Sequence, residues 1–531
     1  MNTLLFIIQI LLFFLFYLLF KKKNISLCEW IEKINNKLFL VIIFLLSSVL
    51  PFLYIYDGHN WGGDFSCYIA QAQSIISGTM QEQVDANTFL VTNSAYMLGP
   101  GSYPWGFPLL LVPMIKIFGV NYIALKSVNI IFFAASIVVF YYILKSKLSL
   151  AHARIGIFFL ILNPYFLRNC DLVLSDIPFL FFSIISVYLI DKLYKSEENQ
   201  LLYGILSGIS CFCAYFVRTN GIVSFLTLLS LDLLLLLLKI KPFRKIKNKF
   251  GITKQKFTTH LLAYSGFVLG VILDKLIFPS GGTSYEYYFS YLSAQSLYSN
   301  LRTYAISLLD FFSIDTNYLL PFIFVLALLL IFGIIKKELF QEPVAIIYII
   351  GMLSLVVIFP ANQGIRYLFP VLPWLVFLCL KSLHDFEFNI LGKKRLRNLY
   401  IPLKTSLIFI IFVAVALQIG AYAKNAFSNY ESADTNRAYT TCAIEVYDYI
   451  KKNTDEDDLL SFFKPRVLWL NTHRKGFSIA QNNIERIDDV DYVLLAKGYE
   501  NTALKELCET NYNNCIVFEN NEFTLYYLNK K

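Results

Sequence analysis

LDLLLLLLKIKPFRKIKNKF, residues 231–250, passes without a break from a leucine run into a basic one. The stretch from Lys239 to Lys256 holds eight bases and no acid. A long apolar run that ends in a cluster of Lys and Arg is the pattern of a membrane span leaving the bilayer on its cytoplasmic side. A nucleic-acid patch is the other reading of such a cluster, but this one continues directly from hydrocarbon-seeking residues. Nucleic acid is therefore not an expected partner.

Working outward from this stretch, the whole chain has the same character. Of 531 residues, 57% are hydrophobic and 16% are charged, outside the range of ordinary soluble domains. A helix needs about 20 mostly apolar residues to cross about 30 Å of hydrocarbon. On that criterion the sequence predicts twelve spans, near 3–20, 38–56, 122–144, 155–168, 172–190, 200–217, 221–238, 258–278, 317–335, 343–359, 367–383 and 401–421. The first run carries its bases (Lys21, Lys22, Lys23) after the apolar segment and not before it, so it reads as a retained helix and not as a signal peptide. With the N-terminus outside, the bases concentrate in the cytoplasmic loops. GFPLLLVPMIKIFG, residues 106–119, is apolar but short and bracketed by prolines. It is expected at the outer interface, because a span there would move Lys239 to Lys256 to the outside.

Residues 57–121 thus become one long outer segment with interfacial helices, and residues 279–316 a second outer loop. Asp64 stands at the start of the first, in GHNWGGDFSCYIAQAQ (58–73). Apolar Tyr68, Ile69, Ala72, Ile75 and Ile76 recur at helical spacing, which predicts an amphipathic helix over 66–77 lying on the membrane surface. An N-cap is one reading of Asp64, since Asp is favoured there and Gly62 and Gly63 read as a turn. A functional reading rests on the company it keeps. Asp171 and Asp176 fall in NCDLVLSDIPFL, Arg218 in YFVRTNGI and Arg366 in NQGIRYLFPVLP, all at the outer ends of predicted spans. Ionisable groups near hydrocarbon are costly unless paired, solvated or in use, so several at one depth imply an outward-opening polar cavity.

The set GGDFSCYIAQA, YPWGFPLLLVPMIKIFG, SDIP, RTNG and RYLFPVLP resembles the polytopic GT-C glycosyltransferases of the protein-mannosyltransferase and aminoarabinose-transferase superfamily, of the glycosyltransferase family 39 type. The resemblance spans the predicted membrane part. It implies transfer of a sugar, with inversion, from a polyprenyl-phosphate carrier on the outer leaflet to an acceptor hydroxyl. By the same resemblance Asp64 is the catalytic, acceptor-activating acid, Asp176 a second acidic position near the cavity, and Arg366 a holder of the donor phosphate. Arg218, Asp171, Tyr367 and Tyr103 complete the candidate substrate-binding set.

The residue types suit that chemistry on their own account. A hydroxyl attacking an anomeric carbon gains from a carboxylate in hydrogen-bond reach. A phosphate leaving group needs cations where negative charge develops, and a guanidinium offers a planar fork to phosphate oxygens. Two positions depart from the family pattern. Phe65 follows Asp64 where the mannosyltransferase branch has Glu, and Tyr103 to Gly106 stand where another branch has a Lys-Pro-Pro stretch. Neither a two-acid loop nor a phosphate-binding lysine from that loop is implied. Asp57 and His59 show no metal-ligand spacing, so no metal is assigned and divalent-cation dependence stays open.

After Ala423 the composition changes, and residues 424–531 hold 13 bases and 17 acids. A helix over 433–452 and short apolar runs at 459–463, 491–496, 514–519 and 523–528 predict a small α/β domain. KPRVLWLNTHRKG inside it reads as a strand-to-helix turn with a basic rim, suited either to acceptor docking or to a structural cap. The tyrosines of 279–316 suit interfacial anchoring. Cysteines lack metal spacing, and a Cys508–Cys515 bridge is permissible. The sequence thus predicts a polytopic α-helical membrane protein of about 12 transmembrane helices, GT-C-like over 1–423, with an extracytoplasmic α/β domain over 424–531. Its expected location is a bacterial-type inner membrane, with membrane lipids around it and a protein, lipid or glycan as acceptor. A secondary transporter or flippase, or a lipid-linked oligosaccharide ligase or polymerase, is the alternative.

Overall fold

A computed structural model describes residues 31–96, 98–237, 257–281, 289–313, 341–391, 438–499, 502–511 and 515–528. Helix α1 (Asn36–Val49) leads through a 3-10 turn into a segment built of α2 (Gly63–Ser77), α3 (Met80–Asn93) and α4 (Gly106–Phe118). A helical bundle follows, comprising α5 (Tyr122–Lys147), α6 (Leu150–Ile161), α7 (Pro164–Asn169), α8 (Asp176–Lys195), α9 (Gln200–Val217), α10 (Ile222–Leu237), α11 (Phe257–Ile277), α12 (Ala294–Ser313), α13 (Pro343–Ile358) and α14 (Leu372–Leu391).

Among the described residues six helices are long and apolar enough to cross a membrane: Asn36–Leu53, Tyr122–Lys147, Asp176–Lys195, Gln200–Val217, Thr219–Leu237 and Phe257–Ile277. Each coincides with an expected span. The expected spans at 3–20, 317–335 and 401–421 lie outside the described residues, as does most of the basic run after Leu237. The span expected over 155–168 is instead two pieces, α6 and α7. Asn163 breaks it, held extended by the following proline and capping α7 by accepting a hydrogen bond from the Tyr165 amide. Helix α4, 13 residues with Pro113 inside, stays short of a crossing. Near 367–383 the chain first makes a 3-10 turn (Gly364–Leu368) and then α14.

Packing within the bundle follows residue size. Gly204 and Gly208 of α9 face Thr259 and Ala263 of α11, so closely that a Cβ on either glycine would overlap the opposing carbonyl oxygen. Close backbone approach through small residues spaced four apart is how helices associate where no hydrophobic effect separates them. At one end of the bundle, Lys147 and Lys195 meet Asp191 and Glu342 in a balanced four-charge cluster with contacts of 2.6 to 2.8 Å. The cluster ties together the last turns of α5 and α8 and the entry to α13.

The C-terminal unit begins with α15 (Thr441–Asn453) and α16 (Pro465–Thr472) and carries a five-stranded sheet in the order β2-β1-β3-β5-β4. Its strands are β1 (Leu460–Ser461), β2 (Gly476–Phe477), β3 (Tyr492–Ala496), β4 (Ile516–Glu519) and β5 (Phe523–Tyr527). The first three are parallel, and β5 runs antiparallel to both β3 and β4. Strand β2, only two residues long, is the one the apolar-run pattern missed. Cys508 is a free thiol, so the permissible bridge to Cys515 is not formed.

The amphipathic helix expected on the membrane surface is in fact buried. Residues Phe65 to Ala72 of α2 are all inaccessible, because α4 covers one side of the helix and α16 of the C-terminal unit another. The apolar spacing was real, but it serves a protein interface on more than one face.

Candidate functional site

The end of the bundle opposite the four-charge cluster is where α5, α8 and α10 begin and α9 and α13 finish. Here α2 starts as well, and the 57–121 segment, these helix ends and the C-terminal unit line a cavity of about 760 Å³. Its charged lining among the described residues comprises Asp64, Arg218, Arg366 and Lys464.

Asp64 lies in the first turn of α2, after an extended Gly62 that fills the N-cap position without a side-chain cap. The capping reading is therefore set aside. Instead, Oδ1 accepts a hydrogen bond from the Tyr103 hydroxyl at 2.7 Å, and Oδ2 faces Arg366 at 3.6 Å. The Asp64 side chain keeps 35% exposure, so one oxygen is anchored while the other stays reachable from the cavity.

Asp176 opens α8 and pairs with Arg218 at 3.0 Å. Arg218 also donates to the Ser175 hydroxyl at 3.1 Å, and that hydroxyl lies 3.0 Å from the Tyr68 hydroxyl. The Tyr367 ring lies beneath both guanidiniums, 4.8 Å from that of Arg218 and 5.8 Å from that of Arg366. Cations over an aromatic face are attracted by its quadrupole, which helps hold two like-charged arginines at one wall. Asp176 itself stands just behind the lining, 3% exposed.

Asp171 goes elsewhere. It is bound by Lys126 at 2.7 Å, and that ammonium, fully buried in α5, also donates to the Tyr56 carbonyl at 2.8 Å. The pair fastens the start of the 57–121 segment to the bundle and is not part of the cavity lining. The structure thus brings together Asp64, Tyr103, Arg218, Arg366 and Tyr367, with Asp176 one step back, and separates Asp171 from them.

Two residues come from 400 positions away. Arg466 of α16 is 3% exposed and reaches into the 57–121 segment. Its guanidinium donates to Asn87 Oδ1 at 2.8 Å, to the Pro100 carbonyl at 2.7 Å and to the Tyr103 hydroxyl at 3.3 Å. It therefore fixes from behind the same hydroxyl that orients Asp64. Lys464, the N-cap residue of α16, lines the cavity directly. KPRVLWL carried these two as a basic rim, but their placement depends on how a separate unit docks. That docking is continued by Trp469 Nε1 on Gln83 (2.8 Å), by the Ala95 amide on the Ser478 carbonyl (2.9 Å) and by Arg486 on Asn93 (2.7 and 3.0 Å).

His59 is stacked on Phe65 with ring centroids 3.8 Å apart. Its Nδ1 donates to the Asn60 carbonyl and its Nε2 accepts from the Val173 amide, both at 3.2 Å. Burial, with the Lys126 charge adding to it, pushes its pKa down to about 3. With both ring nitrogens engaged in the neutral form, His59 is a structural piece of the wall. Among the described residues no group of three His, Cys, Asp or Glu side chains converges on one point.

Residues 96–277 match the family model described as dolichyl-phosphate-mannose-protein mannosyltransferase. No curated protein matches the sequence. Among solved structures, ArnT from Cupriavidus metallidurans bound to undecaprenyl phosphate is similar at a TM-score of 0.55 and 10% identity, over 92% of this chain and 97% of that one. The Archaeoglobus fulgidus oligosaccharyltransferase in its apo form is similar at 0.54 and 13% identity, over 88% of this chain and 70% of that one. The same protein tethered with an acceptor peptide containing the NVT sequon gives 0.53 and 13%, with the same coverage. The resemblance read from the motifs therefore holds, and the fold is the GT-C fold.

Proposed function

We propose that this GT-C-fold membrane protein is a glycosyltransferase that moves a sugar from a polyprenyl-phosphate carrier to an acceptor hydroxyl, with inversion at the anomeric carbon. The observation that carries the reading is the Asp64 carboxylate, anchored by Tyr103 on one oxygen and open to the cavity on the other, with Arg366 and Arg218 on the facing wall. The family match over 96–277 and a structural neighbour solved with undecaprenyl phosphate support it.

The mechanism follows from that arrangement. The acceptor hydroxyl hydrogen-bonds to the Asp64 oxygen that faces Arg366, and as its oxygen bonds to the anomeric carbon its proton passes to the carboxylate. The bond from the anomeric carbon to the phosphate oxygen breaks on the opposite face, and its electron pair stays with the phosphate. Tyr103 holds Asp64 in one rotamer, so the base is positioned before substrate arrives. Arg366 offers a planar fork to the phosphate oxygens, while Arg218, neutralised by Asp176, contributes mainly dipole and shape. Tyr367 supports both guanidiniums.

The bases in the last turns of α5 and α8 (Lys145, Lys147, Lys192, Lys195) and the basic run that follows Leu237 in the sequence support an extracytoplasmic cavity. We assign residues 1–423 to the membrane domain and 424–531 to the extracytoplasmic one. An oligosaccharide ligase is the second reading, favoured by the likeness to the archaeal oligosaccharyltransferase.

The test is direct. Full-length protein in lipid nanodiscs, incubated with polyprenyl-phosphate sugars and a cell-envelope extract as acceptor, should release polyprenyl phosphate. Asp64→Asn should cut release by about 10²- to 10⁴-fold at unchanged thermal stability. Full release by that variant would remove Asp64 from the chemistry. Substrate flux into sealed vesicles without release would replace the transferase by a transporter.

A further inference from the structure

Among the described residues the cavity lining holds three cations, Arg218, Arg366 and Lys464, and the carboxylate of Asp64, with Asp176 and the Arg466 guanidinium just behind it. Asp176 matches Arg218 at 3.0 Å, and Asp64 faces Arg366 at 3.6 Å. Lys464 has neither ion pair nor hydrogen bond among the described residues, and its Nζ lies 5.8 Å from the centre of the Phe463 ring. A half-buried ammonium without a counterion is costly. Burial accordingly holds the Lys464 pKa below its usual range, although the Asp64 carboxylate opposes the shift.

We propose that Lys464, supplied by the C-terminal unit, is a phosphate-binding residue of the donor site, so that this unit completes the active site and does not merely cover it. The inference rests on the transferase reading. It is argued from position and from where charge develops. Lys464 lines the same cavity as Arg366 and has no ion pair among the described residues. During transfer the glycosidic bond breaks and the phosphate gains a second negative charge, while the acceptor proton neutralises Asp64. Arg366 loses its carboxylate partner at the moment the leaving group needs it, and Lys464 offers a second cation with no ion pair to give up. Cations fixed where charge develops are the largest single source of stabilisation in such reactions. A lysine suits this position because its compact charge can follow the phosphate oxygens as their charge changes.

Lys464 reaches the cavity from the N-cap of α16. Arg466, two residues on, is buried in the 57–121 segment and fixes the start of α16 against it. This anchor is what holds Lys464 at the cavity.

The same chemistry could serve a phosphate on the acceptor, and the experiment separates the two. Full-length protein in nanodiscs is titrated with a short-chain polyprenyl phosphate, without acceptor, and affinity is read by native mass spectrometry. Lys464→Met should weaken binding about tenfold, as expected for a lost charge-assisted contact, and Lys464→Arg should restore most of it. Lys497→Met, which removes an exposed charge elsewhere in the same unit, should leave affinity unchanged. Melting curves of each variant verify folding. Wild-type affinity in a folded Lys464→Met protein overturns the inference and leaves the transferase reading intact. A variant with unchanged affinity for polyprenyl phosphate but a raised KM for acceptor reassigns Lys464 to the acceptor and equally overturns it. A wild-type protein that binds no polyprenyl phosphate removes the transferase reading itself.

Discussion

Asp64 and His59 stand five residues apart and illustrate two uses of a polar side chain at the cavity wall. Asp64 keeps one oxygen exposed because Tyr103 satisfies the other. Replacing it by Asn removes the base while keeping the shape, and transfer should fall by about 10²- to 10⁴-fold, the range for a general base. Tyr103→Phe should act more mildly. It frees the Asp64 rotamer and leaves Arg466 without its hydroxyl partner, so kcat should fall about tenfold, in the range for a mispositioned catalytic group, while polyprenyl-phosphate affinity is retained. Single-turnover release measures both.

His59 has the opposite role. Its folded pKa is about 3, while in the unfolded chain it is about 6.5. Between those values the unfolded state binds the extra proton, so stability is complete above about pH 6.5 and falls as pH drops toward 3, by about 1.4 kcal/mol per unit at most. Melting temperature in detergent should therefore decline from pH 7 to pH 5, and His59→Gln should flatten that decline. Equal slopes for the two proteins would mean that His59 does not set the acid limit.

At the scale of elements, legibility followed locality. Runs of apolar residues are local, and the spans at 200–217 and 258–278 fall within a residue of α9 and α11. Arg218 and Arg366 were readable because each stands at an end of a predicted span, and Asp64 because it stands at the start of an amphipathic pattern in the first outer segment. Asp171 misled because its partner, Lys126, is a lone base inside an apolar helix, and a buried lysine of that kind demands a carboxylate nearby. That demand was visible in YIALKSVN and would have claimed Asp171. Lys464 and Arg466 were legible as bases but not as site residues, since nothing local says where a separate unit docks.

Docking through one buried guanidinium has an energetic consequence. Arg466→Met leaves Asn87, the Pro100 carbonyl and the Tyr103 hydroxyl short of a donor, and breaking a buried charged network of this kind costs about 3 kcal/mol. Melting temperature should drop, and the C-terminal unit should become sensitive to protease while the bundle stays intact. Gly208→Ile should destabilise differently. Its side chain has no room against Ala263, and overpacking costs about 1 to 3 kcal/mol. Here the bundle itself should loosen, without exposing the C-terminal unit.

For the whole molecule, the two ends of the bundle are chemically unlike. One holds the cavity, the aromatic wall and the docked C-terminal unit. The other holds the Lys147, Lys195, Asp191 and Glu342 cluster, and in the sequence the basic run from Lys239 to Lys256 follows the last residue of α10, Leu237. Positive charge near span ends orients a membrane protein with those ends in the cytoplasm. Every functional residue would then face the other side, where a carrier lipid presents its sugar. In a background with Cys442 and Cys515 replaced by Ser, a cysteine at Tyr499, which is exposed on the C-terminal unit, should react in intact spheroplasts with a membrane-impermeant maleimide. A cysteine at Glu198, exposed in the turn between α8 and α9, should react only after permeabilisation. The reverse pattern would place Asp64 and Lys464 in the cytoplasm, away from an outer-leaflet donor, and the proposed reaction could not proceed as written.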